Sequence, residues 1–175
     1  MSETMTQDLS GVAETSLITL YIRAMESQRP DALLKDGKAV ELFTRKAFDF
    51  SRVRQIPLSE ANKLVIILRT REFDHYARDF LARHPDAVVI HIGCGLDTRF
   101  ERIAERNSQV EWYDLDFPNV IELRRKLIGD EKERYHLLGC SVLDTAWLDT
   151  VSAPSCSWPK VFPCTLKKRR SSGWC

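Results

Sequence analysis

A chain of 175 residues, 43% of them apolar, is long enough to bury a core and short enough to be one domain. Its 26 basic and 25 acidic residues are interspersed and leave a formal charge of +1, so there is no basic stripe for nucleic acid and no electrostatic pull toward a membrane surface. No apolar run reaches the length of about eighteen residues that a transmembrane helix needs, and residues 1–11 are polar and acidic, unlike a secretory signal. The expected location is therefore cytoplasmic. None of the five cysteines reads as a ligand or nucleophile. Cys94 and Cys140 lie in apolar, strand-like segments where a thiol acts as a small hydrophobe, and Cys156, Cys164 and Cys175 have no metal-ligand spacing.

Residues 1–15 carry no period and are expected to be disordered. A helical segment, 16–86, follows. Leu17, Ile18, Leu20, Tyr21 and Met25 recur at helical spacing and predict a helix over 16–25; Arg23 and Glu26 on it read in the first instance as solvated charges, with Arg23 kept as a candidate for more. Arg29-Pro30-Asp31 breaks it, because the residue before proline avoids the helical region. Residues 31–37 form a connector and 39–48 a second short helix. Pro57-Leu58-Ser59-Glu60 opens a long helix running to about Arg83, with Leu64, Ile67, Leu68, Phe73, Ala77 and Leu81 among its apolar positions. Arg69, Arg71, Arg78 and Arg83 lie along it, most of them as a solvated basic face.

His84-Pro85-Asp86 hands the chain to a β-rich run, Ala87-Val88-Val89-Ile90-His91-Ile92, which ends in Gly93-Cys94-Gly95 and passes into a helix over 97–105. Strand, glycine turn and helix N-terminus make the phosphate- or nucleoside-binding corner of an α/β sheet. Two residues without Cβ atoms let a ligand approach the backbone. Val110 to Asp116 reads as a second strand ending in two acids, and Phe117-Pro118 as the start of a helix closed by Gly129-Asp130. Residues 135–140 form a third strand, 141–144 a loop and 145–151 a short helix. The order β-α-β-α-β implies parallel strands joined by right-handed crossovers.

An acid at the end of the second strand, about twenty residues after the glycine turn, can accept hydrogen bonds from ribose hydroxyls. Asp114 and Asp116 alternate, so they share one face of the strand, and Asp116 is alternatively the N-cap of the next helix. A dinucleotide dehydrogenase also wants a third glycine for close helix–strand packing, which Gly93-Cys94-Gly95-Leu96-Asp97-Thr98 lacks. That disfavours an NAD-dependent oxidoreductase. A non-catalytic cofactor- or partner-binding module is a further alternative.

Three stretches together resemble the leucine carboxyl methyltransferase family, which includes bacterial polyketide O-methyltransferases of the tetracenomycin type. They are His91-Ile92-Gly93-Cys94-Gly95-Leu96-Asp97-Thr98-Arg99, Trp112-Tyr113-Asp114-Leu115-Asp116-Phe117-Pro118 and Ile67-Leu68-Arg69-Thr70-Arg71. Ala24-Met25-Glu26-Ser27-Gln28-Arg29-Pro30-Asp31 is similar to that family's N-terminal segment, and the resemblance covers about 16–152. It implies an α/β, class I methyltransferase Rossmann-like parallel sheet whose first half is 87–152, with an N-terminal helical extension. It also implies S-adenosyl-L-methionine as cofactor and a small-molecule or carboxylate methyl acceptor; the charge pattern adds the expectation of neither nucleic acid nor membrane as partner. By motif, Gly93, Cys94 and Gly95 would line the methionine and ribose portion. Arg69 would pair with the cofactor's carboxylate, and Asp116, or else Asp114, would take the ribose hydroxyls. Ser141 and Val142 stand where the family carries an aspartate–leucine pair beside the adenine. The sulfonium is already activated, so no catalytic base is assigned.

The family's sheet has seven strands, and about three are expected here, leaving the first strand with one unpaired edge. Beyond 152 the chain has no period of either kind. Back-translation with each codon split as third base plus the next two, and third bases chosen to fit, can read V-L-F-L-A-E-G-L-P-V-Y-F-E-E-A-Q-V-K-R-L-V, similar to the family's continuation. The expectation is a reading-frame shift near 152–155 and a disordered, aberrant tail over 153–175. Lys167-Lys168-Arg169-Arg170 would then be an accident of frame, and the chain a truncated, weakly active or inactive form. The nucleotide sequence tests this.

Overall fold

A computed structural model describes residues 12–45, 50–105, 109–151 and 161–163. Four helices lead: α1 (Val12–Ser27), α2 (Gly37–Thr44), α3 (Ser51–Arg54) and α4 (Glu60–Arg83). Then β1 (Val88–Ile92), α5 (Arg99–Ile103), β2 (Glu111–Asp116), α6 (Pro118–Leu127), β3 (Tyr135–Gly139), α7 (Trp147–Val151) and β4 (Val161–Pro163) complete the described chain. Local chemistry explains most boundaries. Asp36 caps α2 by accepting from the Ala39 amide at 3.0 Å, and Ser59 caps α4 through Asn62 at 3.2 Å. Pro118 opens α6, where its missing N–H costs no helix bond. The short α3 lies between the helices expected over 39–48 and from Pro57, and its four residues are too few to show a period.

The strands are parallel and lie in the order β3-β2-β1-β4. The edge of β1 expected to be open is occupied: Val88, Val89 and Ile90 stand opposite Val161, Phe162 and Pro163. The sheet therefore has four strands among the described residues and not three. A three-residue strand ending in proline shows no alternation in sequence, and proline is tolerated there because β4 is itself an edge. The rest of the tail, with Cys156, Cys164, Cys175 and the Lys167–Arg170 cluster, lies outside the described residues, as does 1–11. No helix among the described residues is long and apolar enough to cross a membrane.

One face of the sheet buries Val89, Trp112 and Leu137 against Phe100 of α5, Ile121 of α6 and Leu81 of α4. The other face sets Val88 and Ile90 against Val151 of α7. A third cluster joins Leu17, Leu20 and Leu42 of the N-terminal helices to Leu96 in the glycine turn and Leu123 of α6. The N-terminal helices thus share a core with the turn.

Candidate functional site

The corner after β1 is built by backbone geometry. Gly93 and Gly95 have φ of 67° and 50°, the left-handed region that side chains disfavour. A Cβ at Gly95 would also lie 2.6 Å from the Ser16 hydroxyl of α1. The turn is tied to β2: the Gly93 and Cys94 amides donate to the Leu115 carbonyl at 2.8 and 3.3 Å. The Gly95 amide donates to Asp116 Oδ2 at 2.8 Å, while the Phe117 amide donates to Asp116 Oδ1 at 2.8 Å. Phe117, not Asp116, is the N-cap residue of α6. Asp116 is instead a carboxylate oriented at the end of β2 by two amides, with lone pairs left for a ligand.

Arg69, Gly93, Cys94 and Gly95 line one cavity of about 350 Å³, together with Arg23, Asp97 and Arg99. Arg69 is exposed on α4, and among the described residues no carboxylate is paired with it. The Cys94 side chain is buried, and burial pushes its thiol well above the usual range. Ser141 and Val142 follow β3, beside the end of β2, where Val142, Leu143 and Phe117 leave large apolar side chains exposed.

Asp114 does not join this surface. Its side chain is fully buried, accepting from Trp112 Nε1 at 2.8 Å and from the Tyr135 hydroxyl at 2.7 Å, with His91 Nδ1 at 2.9 Å and Arg124 in ion-pair contact. Burial pushes its carboxyl up, but the Arg124 guanidinium and the hydrogen bonds from His91 and Trp112 outweigh this and hold it at about 2. The alternative in which Asp114 takes the ribose hydroxyls does not fit this burial: sharing a face of the strand with Asp116 places it one residue pair deeper, under α6.

Asp114 belongs to a buried ionic network that the motifs do not contain. Arg23 pairs with Asp36, Arg102 with Asp36, Asp74 and Asp97, Arg99 with Asp74 and Asp97, and Arg124 with Asp114. His91 lies between the two halves, 2.9 Å from Asp114 and 3.8 Å from Asp97. Four arginines meet four aspartates, so the desolvation of each charge is offset by an opposite one. Burial raises Asp97, yet Arg102, Arg99 and Arg23 hold its carboxyl well below the usual range. Of the two charges on α1 read in the first instance as solvated, Arg23 is not: its side chain is only 3% exposed. The sequence did hold a signal. Asp74 falls in the stripe Ile67, Thr70, Asp74, Ala77, Leu81, and Arg124 follows Val120 and Ile121 at helical spacing, so both occupy core positions.

A glycine turn after the first strand, with an oriented acid at the end of the second, is the arrangement found at nucleoside-binding corners of α/β sheets. Residues 16–159 match the family model of the leucine carboxyl methyltransferases, beyond the 152 at which the motif resemblance ends. The chain belongs to the leucine carboxyl methyltransferase family. It is 45% identical over 143 residues to the tetracenomycin polyketide synthesis O-methyltransferase TcmP of Streptomyces glaucescens, covering 82% of this chain and 51% of that protein. It is 31% identical over 156 residues to the S-adenosyl-L-methionine-dependent methyltransferase dpfgK of Gibberella zeae, covering 84% of this chain and 52% of that one. A putative S-adenosyl-L-methionine-dependent methyltransferase of Mycobacterium sp. (strain KMS) is 31% identical over 140 residues, covering 71% and 45%. The chain spans about half the length of the curated relatives it matches.

Proposed function

We propose that this chain binds S-adenosylmethionine and serves methyl transfer to an oxygen of a small-molecule or carboxylate acceptor. The observation that carries this reading is Arg69, an arginine with no paired carboxylate among the described residues, lining the same cavity as Gly93 and Gly95. A guanidinium fork there suits the carboxylate of an amino-acid moiety. Gly93, Cys94 and Gly95 offer their backbone to that moiety, the Cys94 thiol being buried. Asp116 accepts from ribose hydroxyls through lone pairs that its two amide donors leave open. Ser141 and Val142 border the adenine, with the Ser141 hydroxyl as the polar group available there. Asp114 acts from below, holding His91 and Arg124 beneath the turn.

When bound, the cofactor supplies a methyl group already activated on a sulfonium. The chain's own part is to hold the donor and leave the acceptor oxygen in line with it, so no side chain is assigned as base. A cytoplasmic location goes with this reading, and fractionation of cells expressing the tagged chain checks it. Calorimetry with S-adenosylhomocysteine and with NAD tests the cofactor: binding of the first and not the second is expected, and the reverse overturns the proposal. Transfer of labelled methyl to phenolic and carboxylate acceptors tests the reaction itself.

A further inference from the structure

The glycine turn is held by two arginines from its carbonyl side. Arg124, on α6, donates to the Gly95 carbonyl at 3.1 Å and the Asp97 carbonyl at 2.6 Å. Arg23, on α1, donates Nη2 to the Leu96 carbonyl at 2.9 Å and Nε to Asp36 at 2.9 Å. The two differ in what surrounds them. Arg124 is fully buried and also bonds Tyr135 and Asp114, so it serves the core of the sheet. Arg23 lines the cavity itself, on the α1 face that also presents Ser16 and Thr19 to it.

We propose that Arg23 is a positioning residue for the amino-acid end of the cofactor. Its guanidinium spans two acceptors: one nitrogen anchors α1 to Asp36 and another fixes the peptide between Leu96 and Asp97. That peptide sets the position of the Asp97 side chain, which Arg99 and Arg102 hold from the other side at 3.1 and 2.9 Å. The wall facing Arg69 is thus fixed by a residue that need not touch the ligand. Asp116 is oriented by the Gly95 amide of the turn and the Phe117 amide just past β2, and the Gly95 carbonyl is held by Arg124, so the ribose end depends less on Arg23 than the Leu96–Asp97 peptide does. This inference rests on the cofactor reading above.

Lysine is the discriminating substitution, because an ammonium keeps the charge opposite Asp36 but lacks the fork that reaches both partners. The test compares wild type, Arg23→Lys and Arg23→Gln by calorimetry with S-adenosylhomocysteine and with 5′-methylthioadenosine, which shares the nucleoside and thioether but lacks the amino-acid group. Melting curves are recorded alongside. Arg23→Lys is expected to melt cooperatively and to weaken S-adenosylhomocysteine about ten-fold while changing 5′-methylthioadenosine by less than about two-fold; Arg23→Gln gives the same selectivity with a lower midpoint. Equal loss of both ligands, no loss of either, or failure of both variants to fold would assign Arg23 to folding alone and overturn the inference. Wild type binding both ligands with Arg23→Lys unchanged sinks this inference and leaves the cofactor reading standing. Wild type binding neither ligand overturns both.

Discussion

Arg23 and Arg69 face one cavity from neighbouring helices, and their surroundings give them different chemistry. Arg23 is spent on Asp36 and a backbone carbonyl, whereas Arg69 is exposed with no carboxylate paired to it among the described residues. Arg69→Ala is therefore expected to weaken S-adenosylhomocysteine by about ten-fold or more, the worth of a lost charged hydrogen bond, while leaving the melting midpoint within about 1 °C. Titration calorimetry and a thermal scan read the two effects. Asp114 should behave in the opposite way. Asp114→Asn leaves Arg124 buried without its counter-charge and is expected to cost about 3–5 kcal/mol in urea unfolding. The wild-type carboxyl sits at about 2 against an ordinary 3.8, so its folded form is the stronger acid. Its contribution to stability is present above about pH 4 and is lost as pH falls toward 2, in total about 2 kcal/mol. Urea midpoints for wild type and Asp114→Asn should converge across that window.

Among the elements, α1 and α2 matter to the sheet because their apolar faces meet Leu96 and Leu123. Leu42 is 1% exposed in that cluster. Leu42→Ala should cost about 2–5 kcal/mol, and the helices and sheet should still unfold in one step. Coincident transitions by circular dichroism and by hydrogen exchange at β1 amides check this. Existence and type of the long elements were legible: the α4 period, the apolar run of β1 and the Phe117-Pro118 helix start all stand in the structure. What escaped were elements too short for a period, α3 and β4, whose formation depends on partners distant in sequence. The charges escaped for a related reason. An arginine on an amphipathic helix reads as solvated unless its partner is known, and the partner of Arg23 lies in a loop past a proline.

For the whole molecule, the candidate site was half legible. Motif spacing brought Arg69, Gly93 and Gly95 to one cavity and put Asp116 against the turn. Spacing alone could not separate Asp114 from Asp116, because a strand's alternation assigns a face but not a depth. The ligand reports on this whole assembly, since the corner joins residues from α1, α4, β1 and β2. S-adenosylhomocysteine at about a hundred times its dissociation constant should add about 3 kcal/mol to stability and raise the thermal midpoint, whereas NAD at the same concentration should not. Differential scanning calorimetry with each ligand decides it.

The bond from Arg23 to Leu96 spans 73 residues, and that from Arg102 to Asp36 spans 66. On the ribosome, where chains grow at about 5–20 residues per second, these intervals amount to roughly 3–15 seconds. For that time α1 and the Asp36 cap exist without the guanidinium and carbonyl partners that settle them. α1 and α2 are made before β1 and cannot reach their final arrangement until that strand and its turn have followed. A nascent chain arrested before Leu96 clears the exit tunnel should be open to protease in α1, α2 and α4, and one arrested well past Arg102 should be protected there.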